Sequence, residues 1–473
     1  MDERNFAPAE REPGSFRDPD SHVVIAEGRV FRLLADRGLA DWRALSSLPL
    51  FTELVQEAKL VETREAVDVP AALGLVSANA AGILEHDVLP FVSYPYEWTF
   101  GMLRDAALLQ LELVRRSVNA GLILKDSSPY NVQFHGATPV FVDVGSFETL
   151  QEGEPWAGYR QFCMLFLYPL LLEAWKGVPF RPWLRGRIDG ITPAECRGLL
   201  GWRDLFRRGA LTHVVLHSKF ERSLGASDRD LNRELKAAGF HKELIVANVT
   251  RLERLISGLR WSPAPSAWSE YGPTTTYSQV DAERKTKFVA DAVAEEGPAL
   301  VWDIGCNDGT HARLAAETAD YVVAMDADAV VVDQLYEQLK SEEAKKVLPL
   351  TLNVADPSPG LGWRGRERRP LQERGSPDLT ICLALIHHVS IGGNIPVAEF
   401  LDWLRSLSTA LVIEFPTQDD PMVKRLLARK RPHDHPDYQR EWFERSLSER
   451  FDVVRSEKLS SGTRELYFAR PRA

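Results

Sequence analysis

The chain is poor in cysteine, with four in 473 residues, and Cys163, Cys196, Cys306 and Cys382 lie too far apart for any CxxC pair. Neither a disulfide framework nor a cysteine-held zinc site is signalled, and a reducing compartment is expected. Long apolar runs are missing as well. The longest, Phe162 to Leu172, is 11 residues and stops at Glu173, too short for a bilayer. The N-terminus, Met1-Asp-Glu-Arg-Asn5, is charged with no apolar stretch behind it, which is unlike a secretory signal and predicts a cytoplasmic protein. Positive charge is outnumbered, 57 basic against 67 acidic residues for a net charge of −10. A chain-wide nucleic-acid surface is therefore not expected, although Arg364, Arg366, Arg368, Arg369 and Arg374, and Lys424 to Arg431, form local basic clusters.

What is present is globular in proportion, 44% hydrophobic and 26% charged, and at roughly 150 residues per domain the length allows two or three domains. Residues 1–20 carry charge, Pro and Gly without periodicity and read as a flexible tail. His22–Ala26 and Arg29–Leu34 flank Glu27-Gly28, a hairpin pattern. Helical text follows over residues 40–67. From Trp98 to Asn119, Leu103, Ala107, Leu111, Val114 and Val118 recur at steps of three and four, the stripe of a buried helix. A Pro/Ser/Thr-rich stretch from Trp261 onward marks a linker over 261–284. Beyond it, helical segments alternate with apolar runs at 299–303, 321–326, 347–352, 379–384 and 410–414, the pattern of a parallel sheet covered on both faces. Phe451–Val454 and Glu465–Ala469 around a Ser-Ser-Gly turn suit an antiparallel pair at its end.

Two constellations carry chemistry. At the end of the first C-terminal strand stands Asp303-Ile-Gly305-Cys306-Asn307-Asp-Gly309, opening a helix at Thr310. The glycines clear room for a ligand beside the backbone, and Asp326, ending the next strand 21 positions after Gly305, can accept two ribose hydroxyls. The nicotinamide-type GxGxxG and the GxxxxGK[S/T] phosphate loop are both absent. The pattern resembles motif I of class I S-adenosylmethionine-dependent methyltransferases. The resemblance implies a Rossmann-like sheet over 285–473 and S-adenosyl-L-methionine as cofactor. It places the methionine part at Asp303, Gly305, Cys306, Asn307 and Gly309, the ribose at Asp326 and Ala327, and the adenine at Asn353 or Asp356. After strand four comes Ala384-Leu-Ile-His387-His388, where many members of that class carry a similar segment. His387, His388 and Glu414, which ends strand five, are candidates for the catalytic pocket, although in-line methyl transfer can proceed by proximity without a dedicated base.

The second constellation is Lys125-Asp126-Ser-Ser-Pro-Tyr-Asn131, then Phe141-Val-Asp143-Val-Gly145. An Asp, an Asn and a further Asp at this spacing can gather around magnesium-bound phosphates. It resembles the catalytic loop and the metal-binding segment of the protein-kinase-like superfamily, which assigns residues 21–260 to an α+β kinase-like domain, active or degenerate, with ATP and Mg2+ as its ligands. The catalytic-loop His and Arg, the Gly-rich loop and a clear strand-borne Lys are missing. No metal site beyond this one is signalled. Tyr94–Trp98 and Trp156–Phe162 are dense in aromatics and read first as core.

Taken in order, the segments Tyr94–Trp98, Leu124–Asn131, Phe141–Glu148, Gly158–Phe162, Asp303–Gly309, Leu385–His388 and Asp420–Leu427 resemble the bacterial nodulation-type NoeA-like methyltransferases. The resemblance implies a methyltransferase acting on a small-molecule or glycan-like acceptor presented by the N-terminal domain. The alternative is an ATP-dependent phosphotransferase with an appended S-adenosylmethionine-binding domain; an assembly module with vestigial sites is the non-enzymatic reading.

Overall fold

A computed structural model describes residues 10–74, 79–218, 241–263, 278–407, 409–431 and 434–472. The chain divides into two compact units. The first comprises Met1–Phe134, Pro139–Ser262 and Gly360–Arg368, the second His135–Thr138, Pro263–Pro359 and Arg369–Ala473. Most of the linker expected over 261–284 lies outside the described residues, and its last part, from Gln279, already belongs to a helix, Gln279–Glu296.

The first unit begins with an antiparallel sheet of five strands, β1 Glu10–Arg11, β2 Ser21–Ala26, β3 Arg29–Leu34, β4 Thr63–Glu65 and β5 Gly82–His86, in the order β1-β2-β3-β5-β4. The hairpin read at 22–34 is there. Its two turn residues both have positive φ, Glu27 at 52° and Gly28 at 72°, as a tight turn matching the strand twist requires. Two expectations need correcting. Residues 1–9 lie outside the described residues, but 10–20, read as flexible tail, pair Glu10 with Ile25 and Arg11 with Val24 and then form a short 3-10 turn, Pro13–Arg17; the edge of β2 offers backbone partners that composition does not reveal. The helical text at 40–67 ends at Gln56. Ala58 takes φ 54°, a left-handed conformation that stops a helix, and Thr63–Glu65 pairs with β5 instead.

The helix Phe100–Asn119 is capped by the Thr99 hydroxyl, which accepts from the Met102 N–H at 3.2 Å. Leu103, Ala107, Leu111, Val114 and Val118 are all fully buried, as the periodicity predicts. It leads into β6 Leu122–Leu124, which pairs antiparallel with β9 Phe147–Thr149, while β7 Val132–His135 and β8 Thr138–Phe141 form a hairpin between them. The apolar run 162–172 is a buried core helix: Phe162 to Leu172 are all buried. No helix among the described residues is long and apolar enough to cross a membrane.

The second unit is a seven-stranded sheet, β10 Leu300–Ile304, β11 Tyr321–Asp326, β12 Val347–Thr351, β13 Leu379–Cys382, β14 Ala410–Pro416, β15 Phe451–Lys458 and β16 Arg464–Pro471, in the order β12-β11-β10-β13-β14-β16-β15. The first five are parallel; β16 runs antiparallel to β14, and β15 to β16. This is the expected parallel sheet closed by an antiparallel pair. The helix Gln279–Glu296 leads into β10, and helices Thr310–Ala316, Ala329–Ser341 and Val397–Ser406 connect the strands that follow. The strand order reverses between β10 and β13, and such a switch opens a crevice at the carboxyl ends of the strands. The residues singled out at 303–309 span the end of β10, and those at 384–388 follow the end of β13.

Candidate functional site

The loop after β10 is shaped by backbone. Gly305, Asn307 and Gly309 all have positive φ, 80°, 48° and 78°. The Gly305 and Cys306 N–H groups donate to the Met325 carbonyl at 2.7 and 3.0 Å, which ties the loop to the end of β11. Gly309 is required for a second reason, because a Cβ there would meet Leu335 Cδ1 at 2.6 Å. Leu385 lies against Gly305, 3.3 Å from where a Cβ would stand, so the segment after β13 covers the loop after β10.

Asp326 closes the arrangement. Its Oδ2 accepts the Asn307 N–H at 3.0 Å and its Oδ1 accepts the Asp328 N–H at 2.9 Å. Each oxygen takes one backbone donor and keeps a second acceptor position. Burial raises its carboxyl above the ordinary value, with these N–H groups opposing the shift. Asp303 is buried, and one of its oxygens, Oδ2, has no hydrogen-bond partner among the described residues. Burial first, then the charge of Asp326, push its carboxyl up to about 7. A buried acceptor without a partner beside a cleared loop suits a ligand that brings a donor or a positive charge. Ala327 is exposed beside Asp326. Asn353 and Asp356 lie exposed on the loop after β12, where the Asn353 Oδ1 accepts the Ala355 N–H at 3.0 Å and its carbonyl accepts the Asp356 N–H at 3.0 Å.

His387 and His388 pack ring to ring, centroids 4.0 Å apart. His387 is buried with Nδ1 lacking a partner among the described residues. Burial, then His388, hold it well below the usual imidazole value, and burial with Arg464 brings His388 down to about 4. Both rings are thus neutral near pH 7. Ala384, three residues earlier, takes φ 50°, an uncommon backbone for alanine that turns the segment after β13.

Glu414 is placed differently from its expectation as a pocket-lining group. It is fully buried, 2.9 Å from Lys285 Nζ and 3.2 Å from Arg464 Nη1, and Arg464 also reaches Asp420 with Nε at 2.7 Å and Nη2 at 3.3 Å. All four residues are buried. A carboxylate in an apolar strand needs a cation, so the sequence Leu-Val-Ile-Glu414 signals that a partner exists. Nothing in the sequence identifies Lys285, 129 positions earlier, or Arg464 as that partner. His311, also unremarked in the sequence, sits near this chain: burial, then Lys285, bring it down to about 4, and its Nε2 has no partner among the described residues.

In the first unit, Asp126, Asn131 and Asp143 do come together. Burial raises the Asp126 carboxyl, with the charge of Asp143 as the second cause. Its carbonyl accepts Gln110 Nε2 at 3.1 Å, from the buried face of the helix Phe100–Asn119. The oxygens of Asp143 are already engaged. Arg32 Nη1, from β3, stands 2.8 Å from Oδ1, and the Ser146 hydroxyl donates to Oδ2 at 3.0 Å while accepting Asn131 Nδ2 at 3.3 Å. Arg32 is buried and also donates to Ser21 Oγ at 3.0 Å and to His86 Nε2 at 3.3 Å. A guanidinium therefore stands where magnesium would have to, and the asparagine faces the site with its amide nitrogen. As arranged, these residues do not fit the Mg2+ and ATP that the resemblance implied. Arg32 was missed because one arginine in a short amphipathic strand looks like surface.

Tyr94, Tyr96, Trp98 and Trp156 are buried. Arg364 and Arg366 are exposed, whereas the Arg368 guanidinium lies 3.9 Å from the Tyr130 ring centre.

No family model matches the chain. Among curated proteins it is 32% identical over 459 residues to the nodulation protein NoeA of Rhizobium meliloti (strain 1021), covering 97% of this chain and 95% of that one. Among solved structures it is similar to the N-methyltransferase NodS of Bradyrhizobium japonicum WM9, at 11% identity and TM-score 0.31 over 41% of this chain and 99% of that one. It is also similar to the magnesium protoporphyrin IX methyltransferase of Synechocystis PCC 6803, at 19% identity and TM-score 0.29 over 40% and 84%. At such scores no weight rests on the structural likenesses.

Proposed function

Because the chain belongs to the family of the nodulation protein NoeA, we propose that its second unit is an S-adenosylmethionine-dependent methyltransferase for a small-molecule or glycan-like acceptor, with the first unit as a kinase-like scaffold that selects that acceptor. The observation that carries the reading is the Asp326 carboxylate, held by the Asn307 and Asp328 N–H groups at the mouth of a loop bent by three positive φ values.

When bound, the cofactor supplies an electrophilic methyl group on a sulfonium. Asp326 offers its two remaining acceptor positions to the ribose hydroxyls, and its fixed N–H bonds keep the carboxylate from rotating away. Asp303 Oδ2, without a hydrogen-bond partner among the described residues, would receive the cationic methionine end, and a positive charge there would favour the ionised form of a carboxyl that burial pushes up to about 7. Leu385, against Gly305, excludes water on that side. Ala327, Asn353 and Asp356, exposed after β11 and β12, would border the adenine. His388 and His387, both neutral, are able to take a proton from an acceptor hydroxyl or amine. Glu414 serves by anchoring the helix Gln279–Glu296 and β16 to the end of β14, since two cations already claim it. The ATP-dependent alternative has no support in the Arg32-occupied Asp143.

Titration calorimetry with S-adenosylhomocysteine tests the proposal. Binding by the wild-type chain and at least tenfold weaker binding by Asp326→Ala, about 1.4 kcal/mol, are expected. No binding by wild type, or equal binding by the variant, would overturn it.

A further inference from the structure

The first unit displays large apolar side chains that its own packing does not need. Trp202 is 68% exposed, Phe206 83% and Leu211 58%. Monomeric surfaces rarely hold such side chains together without a use. The two rings meet edge to face, centroids 6.3 Å apart. The turn Asp204–Phe206 packs on the turn Leu211–Leu216, against which the helix Pro193–Leu199 also packs. The display is anchored from within. Asp204 is buried beneath it and accepts the Gly201 N–H at 2.9 Å and Lys176 Nζ at 3.1 Å, with Arg207 Nε paired to it at 3.4 Å. A carboxylate with two donors and a paired guanidinium anchors the loop, and the anchored loop points its aromatics outward.

The charge around them is mostly positive. Between residues 197 and 211 stand Arg197, Arg203, Arg207 and Arg208 with Asp204 as the single acid, in a chain whose net charge is −10. Arg203 stacks on Trp202 at 5.2 Å and Arg207 on Trp175 at 5.3 Å. Trp and Phe flanked by guanidinium groups at one level is the composition that enters the headgroup region of an anionic bilayer, rings into the acyl boundary and cations at the phosphates. A second copy of the chain would bring arginine against arginine, so self-association on this face is disfavoured.

We propose that the loop Leu199–Leu211 is a membrane-docking surface that seats the protein on an anionic phospholipid surface. The acidic remainder of the molecule is repelled by the same lipid, so binding is confined to this face and weakens with salt. The proposal is independent of the methyl-transfer reading.

Co-sedimentation of the full chain with vesicles of phosphatidylcholine, alone or mixed with phosphatidylglycerol, tests it. The wild type is expected to pellet with the mixed vesicles only and to be released by high salt. Trp202→Ala/Phe206→Ala, at exposed positions where folding is not at stake, is expected to lose at least tenfold in partitioning. Arg208→Gln is expected to lose about fivefold, the ratio given by about 1 kcal/mol per basic residue near an anionic surface. All variants keep the S-adenosylhomocysteine affinity of the wild type. Failure of the wild type to pellet with mixed vesicles, or equal pelleting by the double variant, overturns the proposal. So does a lipid-free dimer that the double variant converts to monomer, which would make a second copy the occupant.

Discussion

Replacing Arg464 by Met should destabilise the second unit more than any surface change could. Arg464 is 3% exposed and holds two carboxylates, Asp420 through contacts at 2.7 and 3.3 Å and Glu414 at 3.2 Å, both of them almost wholly buried. Without it Glu414 retains Lys285 at 2.9 Å, but Asp420 loses its guanidinium. Stranding one buried charge costs about 3–5 kcal/mol. For a unit of this size that lowers Tm by roughly 6–20 °C, at about 2–4 °C per kcal/mol. Scanning calorimetry at neutral pH reads the shift directly. Lys285→Met should also destabilise, whereas Lys285→Met/Glu414→Leu should recover most of the loss, because the double change removes the opposed charges together and leaves Arg464 with Asp420. A loss below about 1 kcal/mol for Arg464→Met, the range of exposed pairs, would refute the idea that these four charges depend on one another.

Three further outcomes are expected. The Asp303 carboxyl titrates at about 7 in the native chain against 3.8 as its ordinary value. The native state therefore holds the proton more tightly, and stability should be full below pH 4 and fall by up to about 4 kcal/mol as pH rises to 7; Asp303→Asn should abolish that decline in thermal melts at pH 5 and pH 8. Gly309→Ala forces a side chain into φ 78° and against Leu335 Cδ1 at 2.6 Å, and should lower stability by about 1–3 kcal/mol in denaturant titration. Leu335→Ala in the same background should relieve the collision but not the backbone strain. In the first unit, Mg2+ with ATP should leave Tm unchanged, because Arg32 and Ser146 occupy the Asp143 oxygens. Arg32→Met should lower it by an amount corresponding to about 3 kcal/mol. A stabilising shift on adding nucleotide and metal to the wild type would show that the arginine gives way.

Much of the fold was legible because it follows from short-range periodicity. The stripe Leu103–Val118 predicts a helix whose one face is buried, and it forms over Phe100–Asn119. The five unbroken apolar runs after residue 299 predict strands covered on both sides, and they become β10 to β14. Positive φ at Gly305 and Gly309 was foreseeable from the glycines themselves; at Asn307 and Ala384 it was not, since neither residue demands it. Residues 10–20 and 63–65 went astray for one reason. Their structure is an edge pairing with a strand elsewhere in the chain, and pairing energy leaves no local mark.

By itself, then, the sequence determined the helix Phe100–Asn119, the strands β10 to β14, where the loop of Asp303 to Gly309 falls, and that Asp326 ends the neighbouring strand, because each depends on residues within a few turns of one another. Tertiary structure alone decided which charges meet. Lys285 and Arg464 reach Glu414 from a helix and a strand far away in sequence, and Arg32 reaches Asp143 from the first sheet. A buried carboxylate announces that some cation must come to it, but the identity of that cation is fixed only when the fold of each unit brings segments distant in sequence side by side.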